Sequence, residues 1–113
     1  MKNPFLNKRV KKEAVVEKYL KTQVERAGGE VRKLAFIGRQ GAPDRVVIFP
    51  GLLVFVELKS AVGKLRPAQE REHERLKLMG QHVVTIREDW EVDFFLDAWI
   101  KLSEQWKKDL NAE

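Results

Sequence analysis

Gly41-Ala42-Pro43-Asp44 and, after one short strand and a Pro50-Gly51 turn, Leu52-Leu53-Val54-Phe55-Val56-Glu57-Leu58-Lys59 form the stretch that decides how this chain folds. An aspartate closes a tight turn. A glutamate and a lysine then stand two residues apart on a strand otherwise apolar on both faces. Alternation along a strand puts Leu53, Phe55, Glu57 and Lys59 on one side and Val54, Val56 and Leu58 on the other. Both sides are apolar up to Glu57, which predicts a central strand covered on each face. Asp44 opens the preceding strand, residues 44–49, and the Pro50-Gly51 turn predicts that residues 52–59 return antiparallel to it. The start of one strand then lies beside the end of the other, so hairpin geometry brings Asp44 and Glu57 together.

Charged groups in a buried strand need a common explanation, because desolvating an unpartnered ion is strongly unfavourable. Two adjacent carboxylates also repel and raise one of their pKa values. A divalent cation between Asp44 and Glu57 removes both conflicts, with the Leu58 carbonyl as a further ligand. The chain has no cysteine and only two histidines. Any metal site must therefore be built of oxygen ligands, which suits Mg²⁺ or Mn²⁺. Lys59 is then the candidate to hold or deprotonate a water attacking a phosphodiester, and to offset transition-state charge. The plainer reading makes Glu57 and Lys59 an edge-strand charge pair and Asp44 a turn residue. The two readings differ in energetics. Removing one carboxylate from a repelling pair leaves the metal-free protein as stable or more so, whereas breaking a structural pair destabilises it.

Outward from this hairpin the elements alternate regularly. Val10, Val16, Leu20 and Val24 recur at helical spacing over residues 7–27, and Gly28-Gly29 supplies a stop. Residues 30–37 read as a strand and residues 38–43 as a glycine-rich loop. Pro67 is placed to open a helix over 67–79 that Gly80 ends. Residues 82–87 make a fourth strand, and a long helix follows from Asp89. The order α-β-β-β-α-β-α predicts an α/β fold: a mixed four-stranded sheet flanked by helices, its last two strands parallel across a right-handed crossover.

At 113 residues the chain is expected to be one domain (residues 1–113), with a basic N-terminal arm over residues 1–12. The absence of cysteine suits an intracellular, cytoplasmic address. No apolar run is long enough for a membrane span, so no membrane partner is expected. Twenty-two lysines and arginines against 17 acids give a formal charge of +5 and a pI near 9.6, which points to a polyanionic partner. Lys8, Arg9, Lys11 and Lys12 cluster at the start, and Lys64 and Arg66 flank the carboxylates. Arg39 lies in the loop before Pro43. A cationic rim of this kind would hold DNA phosphates against an acidic centre that would otherwise repel them. His73 and His82 read as surface residues.

Pro43-Asp44 with Glu57-Leu58-Lys59 resembles the signature of the PD-(D/E)xK nucleases, and the wording is closest to the VRR-NUC branch. The likeness runs from Glu13 to about Phe95. It takes in Glu13-x-x-x-Glu17-Lys18-Tyr19-Leu20, Gly41-Ala42-Pro43-Asp44-Arg45, Val56-Glu57-Leu58-Lys59, Gly63-Lys64-Leu65-x-Pro67-x-Gln69 and Leu76-x-x-x-Gly80. The resemblance implies a restriction-endonuclease-like core and a metal-dependent DNA endonuclease. Stand-alone members resemble Holliday-junction resolvases and act as dimers. It also implies that the first helix gives an acid to the metal site and the second a glutamine. Gln69 matches the glutamine. Glu13 and Glu17 compete as the acid, Glu13 being preferred for its spacing from Leu20. Arg66 departs from the small hydroxyl residue often found before the second helix, which leaves that helix cap in question and suggests a phosphate contact instead.

The last helix, within residues 89–113, carries Phe95, Trp99, Leu102, Trp106 and Leu110 as a second apolar line beside its core stripe. This line predicts a homodimer interface, and a two-fold dimer suits paired cuts in branched DNA. The expected function is thus a Mg²⁺-dependent, structure-selective endonuclease acting on branched DNA such as Holliday junctions. The alternatives are a non-catalytic nucleic-acid-binding module of the same fold, or a flap or nonspecific nickase.

Overall fold

The structure, a computed structural model, describes the backbone of residues 4–112 and the side chains of residues 13–112. In chain order the elements are α1 (Pro4–Arg26), β1 (Glu30–Lys33), β2 (Arg45–Phe49), β3 (Leu52–Leu58), α2 (Pro67–Leu78), β4 (His82–Ile86) and α3 (Asp89–Asn111). The strands form one sheet in the order β1-β2-β3-β4. The first three are antiparallel neighbours, and β4 runs parallel to β3 across the α2 crossover. The mixed sheet and element order expected from the sequence are those observed. The basic run of residues 8–12 falls within α1, and the side chains of Lys8, Arg9, Lys11 and Lys12 lie outside the described residues.

Register assigns each residue to a face. Val47 sits opposite Val54 and Phe49 opposite Leu52, while Val56 and Leu58 pair with Val84 and Ile86. This face meets Val16, Leu20 and Val24 of α1 and Val92 and Trp99 of α3, and together they make the core. Val16, Leu20 and Val24 recur every four residues, so they form one stripe along α1. At its end α1 closes in a Schellman arrangement, with Gly29 N–H donating to the Val24 carbonyl and Gly28 N–H to that of Glu25. The Tyr19 hydroxyl donates to Asp93 (2.7 Å), tying α1 to α3, and Ser103 Oγ donates to the Pro50 carbonyl (2.6 Å), pinning α3 over the β2–β3 turn.

The opposite face is covered unevenly, which corrects the expectation of complete cover on both sides of β3. The α2 helix packs along β4 and does not reach the far side of the sheet. Leu53 is left 44% exposed. Phe55 is shielded by Phe36, whose ring meets it edge-on at 6.1 Å. The first strand also ends earlier than the residue 37 expected. Leu34 N–H still donates to the Asp44 carbonyl, but β2 begins at Arg45. Residues beyond 34 have no strand to pair with, and the chain leaves the sheet to lay Phe36 over Phe55.

The apolar line on α3 divides. Trp99 is 4% exposed, and the Phe95 ring stacks on it at 5.9 Å, so this half belongs to the domain's own core. Leu102, Trp106 and Leu110 are 48%, 43% and 57% exposed. The Trp106 ring nevertheless lies against Gly51 in the β2–β3 turn.

Candidate functional site

The loop before β2 is held against the start of α2. Gly41 has φ +84°, and a Cβ there would strike the Ala68 carbonyl, so both conformation and space call for glycine. Pro43 behind it is fully buried. Arg45 pairs with Val56, so one step further along the register sets Asp44 opposite Glu57. The Asp44 carboxylate accepts a hydrogen bond from the Leu58 amide (3.1 Å), which fixes it across the end of β3.

Glu57 is 4% exposed. Its Oε2 accepts from Gln69 Nε2 at 3.4 Å and has Lys59 Nζ at 3.9 Å. Its Oε1 is buried with no hydrogen bond, and His73 Nε2 lies 3.9 Å from it, also without a partner. Burial, then the charge of Asp44, pushes the Glu57 carboxyl up to about 7, and Lys59 opposes this only in part. Burial raises Asp44 as well, while the Leu58 amide pulls it back. Burial also holds His73 below the usual imidazole range. The surface reading of His73 is therefore corrected, whereas His82 is exposed as expected. Gln69, His73 and Leu76 share one face of α2 at helical spacing, and that face turns to the sheet. The pattern Gln69-x-x-x-His73-x-x-Leu76 was the available signal.

Gln69 has two jobs. Its Oε1 accepts from the Arg66 backbone amide (2.9 Å), which leaves Nε2 directed at Glu57. An arginine side chain carries no acceptor and cannot cap the helix as a hydroxyl would. Gln69 supplies the reciprocal half of the cap from within the first turn, so the departure at Arg66 is absorbed locally. The Arg66 side chain is exposed, as is Lys64, and its charge acts to lower the Glu57 pKa. Arg39 is half exposed but bonded to Glu72 (2.8 Å).

Of the two acids on α1, Glu17 pairs with Arg45 at 2.7 Å, and its charge helps raise the pKa of Asp44. Glu13 is partly buried and forms no hydrogen bond or ion pair with another described residue. The structure thus brings together Asp44, Glu57, Leu58, Lys59 and Gln69. Glu17 is tied to them through Arg45, while Glu13 makes no hydrogen bond or ion pair with any of them.

No family model matches the chain. A solved structure described as a "VRR_NUC domain" is 44% identical to it, superposes with a TM-score of 0.71, and is covered over 95% of its length by 76% of this chain. A protein named "Putative nuclease p44", from Acyrthosiphon pisum secondary endosymbiont phage 1, is 40% identical over 79 residues, which is 69% of this chain and 85% of that protein. The chain belongs to the VRR-NUC family of nucleases.

Asp44 and Glu57 are the VRR-NUC residues here that could hold a hard cation. Among the described residues no three His, Asp or Glu side chains cluster as a ready cage. Mg²⁺ is commonly held by one or two carboxylates, with water and substrate phosphate oxygens completing its shell. Two facing carboxylates, one with a buried oxygen lacking any donor, fit that requirement. The sequence reading of this VRR-NUC domain also missed Glu72 and Arg75. Glu72 is 4% exposed and receives Arg39 Nε, Arg75 Nε (3.0 Å) and Arg75 Nη2 (3.2 Å). Within a helix so rich in charge, nothing in the pattern separates Glu72 from its solvated neighbours Glu70 and Glu74.

Proposed function

We propose that this chain is a Mg²⁺- or Mn²⁺-dependent endonuclease that hydrolyses phosphodiester bonds in branched DNA, four-way junctions among them. The observation that carries the reading is Glu57 Oε1, buried, lacking a hydrogen bond and close to a second carboxylate. A folded protein keeps such an arrangement at a stability disadvantage unless something else completes it.

Asp44, Glu57 and the Leu58 carbonyl would hold the cation. When bound, it supplies positive charge at the phosphoryl oxygens and makes a nearby water easier to deprotonate. Glu57 must then be ionised, and Lys59, 3.9 Å away, favours the charged form. Lys59 is mostly buried and sits at the mouth of the site, where its ammonium can position the attacking water and balance charge on the phosphorane-like transition state. Gln69 fixes the Glu57 carboxylate through Nε2. Lys64 and Arg66, exposed beside these groups, suit contacts to backbone phosphates.

The exposed Leu102, Trp106 and Leu110 on α3 support a homodimer, in which two such sites would act on a symmetric junction. No helix among the described residues is long and apolar enough to cross a membrane.

The test is cleavage of four-way junction, flap, duplex and single-stranded DNA with Mg²⁺, Mn²⁺ or EDTA, alongside a solution mass. Metal-dependent cuts concentrated on the junction by a dimer are expected. Salt-sensitive binding with no cut strand in any metal would instead make the chain a binding module. Cuts spread equally over duplex and flap would make it a nickase without junction preference.

A further inference from the structure

On the flank of α2, away from Glu57, lies an open groove of about 440 Å³ lined by Arg39, Gln40, Arg71, Glu72 and Arg75 among others. Three guanidiniums around one carboxylate leave the groove positively charged. Glu72 is nearly inaccessible, and it takes Nε of Arg39 and both Nε and Nη2 of Arg75. Those bonds fix two guanidiniums that come from different parts of the chain, one from the loop and one from the helix. Arg39 spends only its Nε on Glu72, so its terminal nitrogens are unclaimed by any described residue, and Arg71 is exposed with no side-chain partner among the described residues. The Arg39 fork, held by Glu72 with its terminal donors left over, and the unpaired Arg71 guanidinium beside it match the oxygens of a phosphate. Glu70 and Glu74 stand on the adjoining side of the helix beside Arg71 but do not line the groove.

We propose that this groove binds a backbone phosphate of the DNA, with Arg39 and Arg71 as the contacting residues and Glu72 with Arg75 as their support. The inference rests on the endonuclease reading above and extends it. The groove and the Glu57 site occupy adjacent sides of one helix, since Gln69 and His73 face Glu57 while Glu72 and Arg75 face the groove. The loop that carries Arg39 is braced on Ala68 through Gly41 and leads directly to Asp44. A phosphate bound here would therefore register the DNA relative to Asp44 and Glu57.

The experiment measures binding of a labelled four-way junction by the full chain, in Ca²⁺ and across a salt series, with cleavage in Mg²⁺ on the same DNA. Arg71→Ala, Arg39→Ala and Arg71→Lys are compared with the wild type. Each alanine variant is expected to weaken binding about 5- to 10-fold and to flatten the salt dependence by roughly one ion. The loss should fall on KM more than on kcat. Arg71→Lys should keep the salt dependence, and the thermal midpoint of Arg71→Ala should match the wild type. Junctions ending in 5′-hydroxyl or 5′-phosphate distinguish an internal phosphate from a strand end: equal losses identify the former, a loss confined to phosphorylated ends the latter. A wild type that cuts the junction while both alanine variants retain its affinity and salt slope overturns the groove alone. A wild type that neither binds nor cuts DNA overturns the groove and the endonuclease reading together.

Discussion

Two glutamates in this domain, Glu57 on β3 and Glu72 on α2, are equally buried at 4% exposure, yet their acidities move in opposite directions. Glu57 is pushed up to about 7, while Glu72 is drawn down to about 2. Burial opposes ionisation at both; it dominates at Glu57, whereas at Glu72 the hydrogen bonds from Arg75 and Arg39 outweigh it. Glu72 accepts three guanidinium hydrogen bonds within 3.2 Å. Glu57 has one long bond from a neutral amide, a lysine at 3.9 Å, an aspartate nearby and an oxygen with no hydrogen bond. One carboxylate is complete within the protein and the other is not. Incompleteness of this sort is what separates a candidate site from a structural ion pair of similar depth.

The sharpest way to break this contrast is to remove each carboxylate in turn. Glu57→Gln should reduce cleavage at least about 100-fold, while metal-free protein keeps its thermal midpoint or gains a little because the repulsion with Asp44 is relieved. A folded Glu57→Gln protein with wild-type turnover would end its assignment to the site.

A second effect, on the order of 3 kcal/mol at most, concerns pH. The folded pKa of Glu57 lies above its unfolded value, so the native state holds the proton more tightly and is favoured at low pH. The Glu57 contribution to stability of the metal-free protein should therefore fall as pH rises from about 4.5 to about 7; Asp44, also raised, adds with the same sign, and His73, held low by burial, acts with the opposite one. Denaturant melts at pH 5 and pH 8 check this. The slope should shrink in Glu57→Gln and in the presence of Mg²⁺. A slope that Glu57→Gln leaves unchanged in metal-free protein would show that Glu57 is already satisfied by the protein.

The smallest effect belongs to Glu72. Its depressed pKa means that stability is fully present above about 4.5 and lost as pH falls toward about 2. Glu72→Gln should cost about 1–2 kcal/mol in urea at neutral pH, less than a fully buried pair because Arg39 and Arg75 can rehydrate. It should also flatten the acid limb of the stability curve. No loss of stability on this substitution would mean that Glu72 is as incomplete as Glu57, and the contrast between them would disappear.

Much of this molecule can be read from residue order. The alternation of Leu52 to Lys59, the Pro50-Gly51 turn and the stripe Val16-Leu20-Val24 are local patterns with one economical way to be buried, and they determine the antiparallel hairpin, the α1 contact and the facing of Asp44 and Glu57. Pro67 and Gly80 punctuate α2 in the same local way. How the remaining charged residues pair is different in kind. Glu72 meets Arg39 across 33 positions, and Glu17 meets Arg45 across 28. Charged residues on a helix look alike in sequence, because solvent accepts them all equally until a fold covers some of them. Which acid of α1 pairs with Arg45, why His73 is buried and which residues of α3 stay exposed follow from packing between elements. Periodicity carries the direction in which a side chain points, and only the assembled structure decides what it finds there.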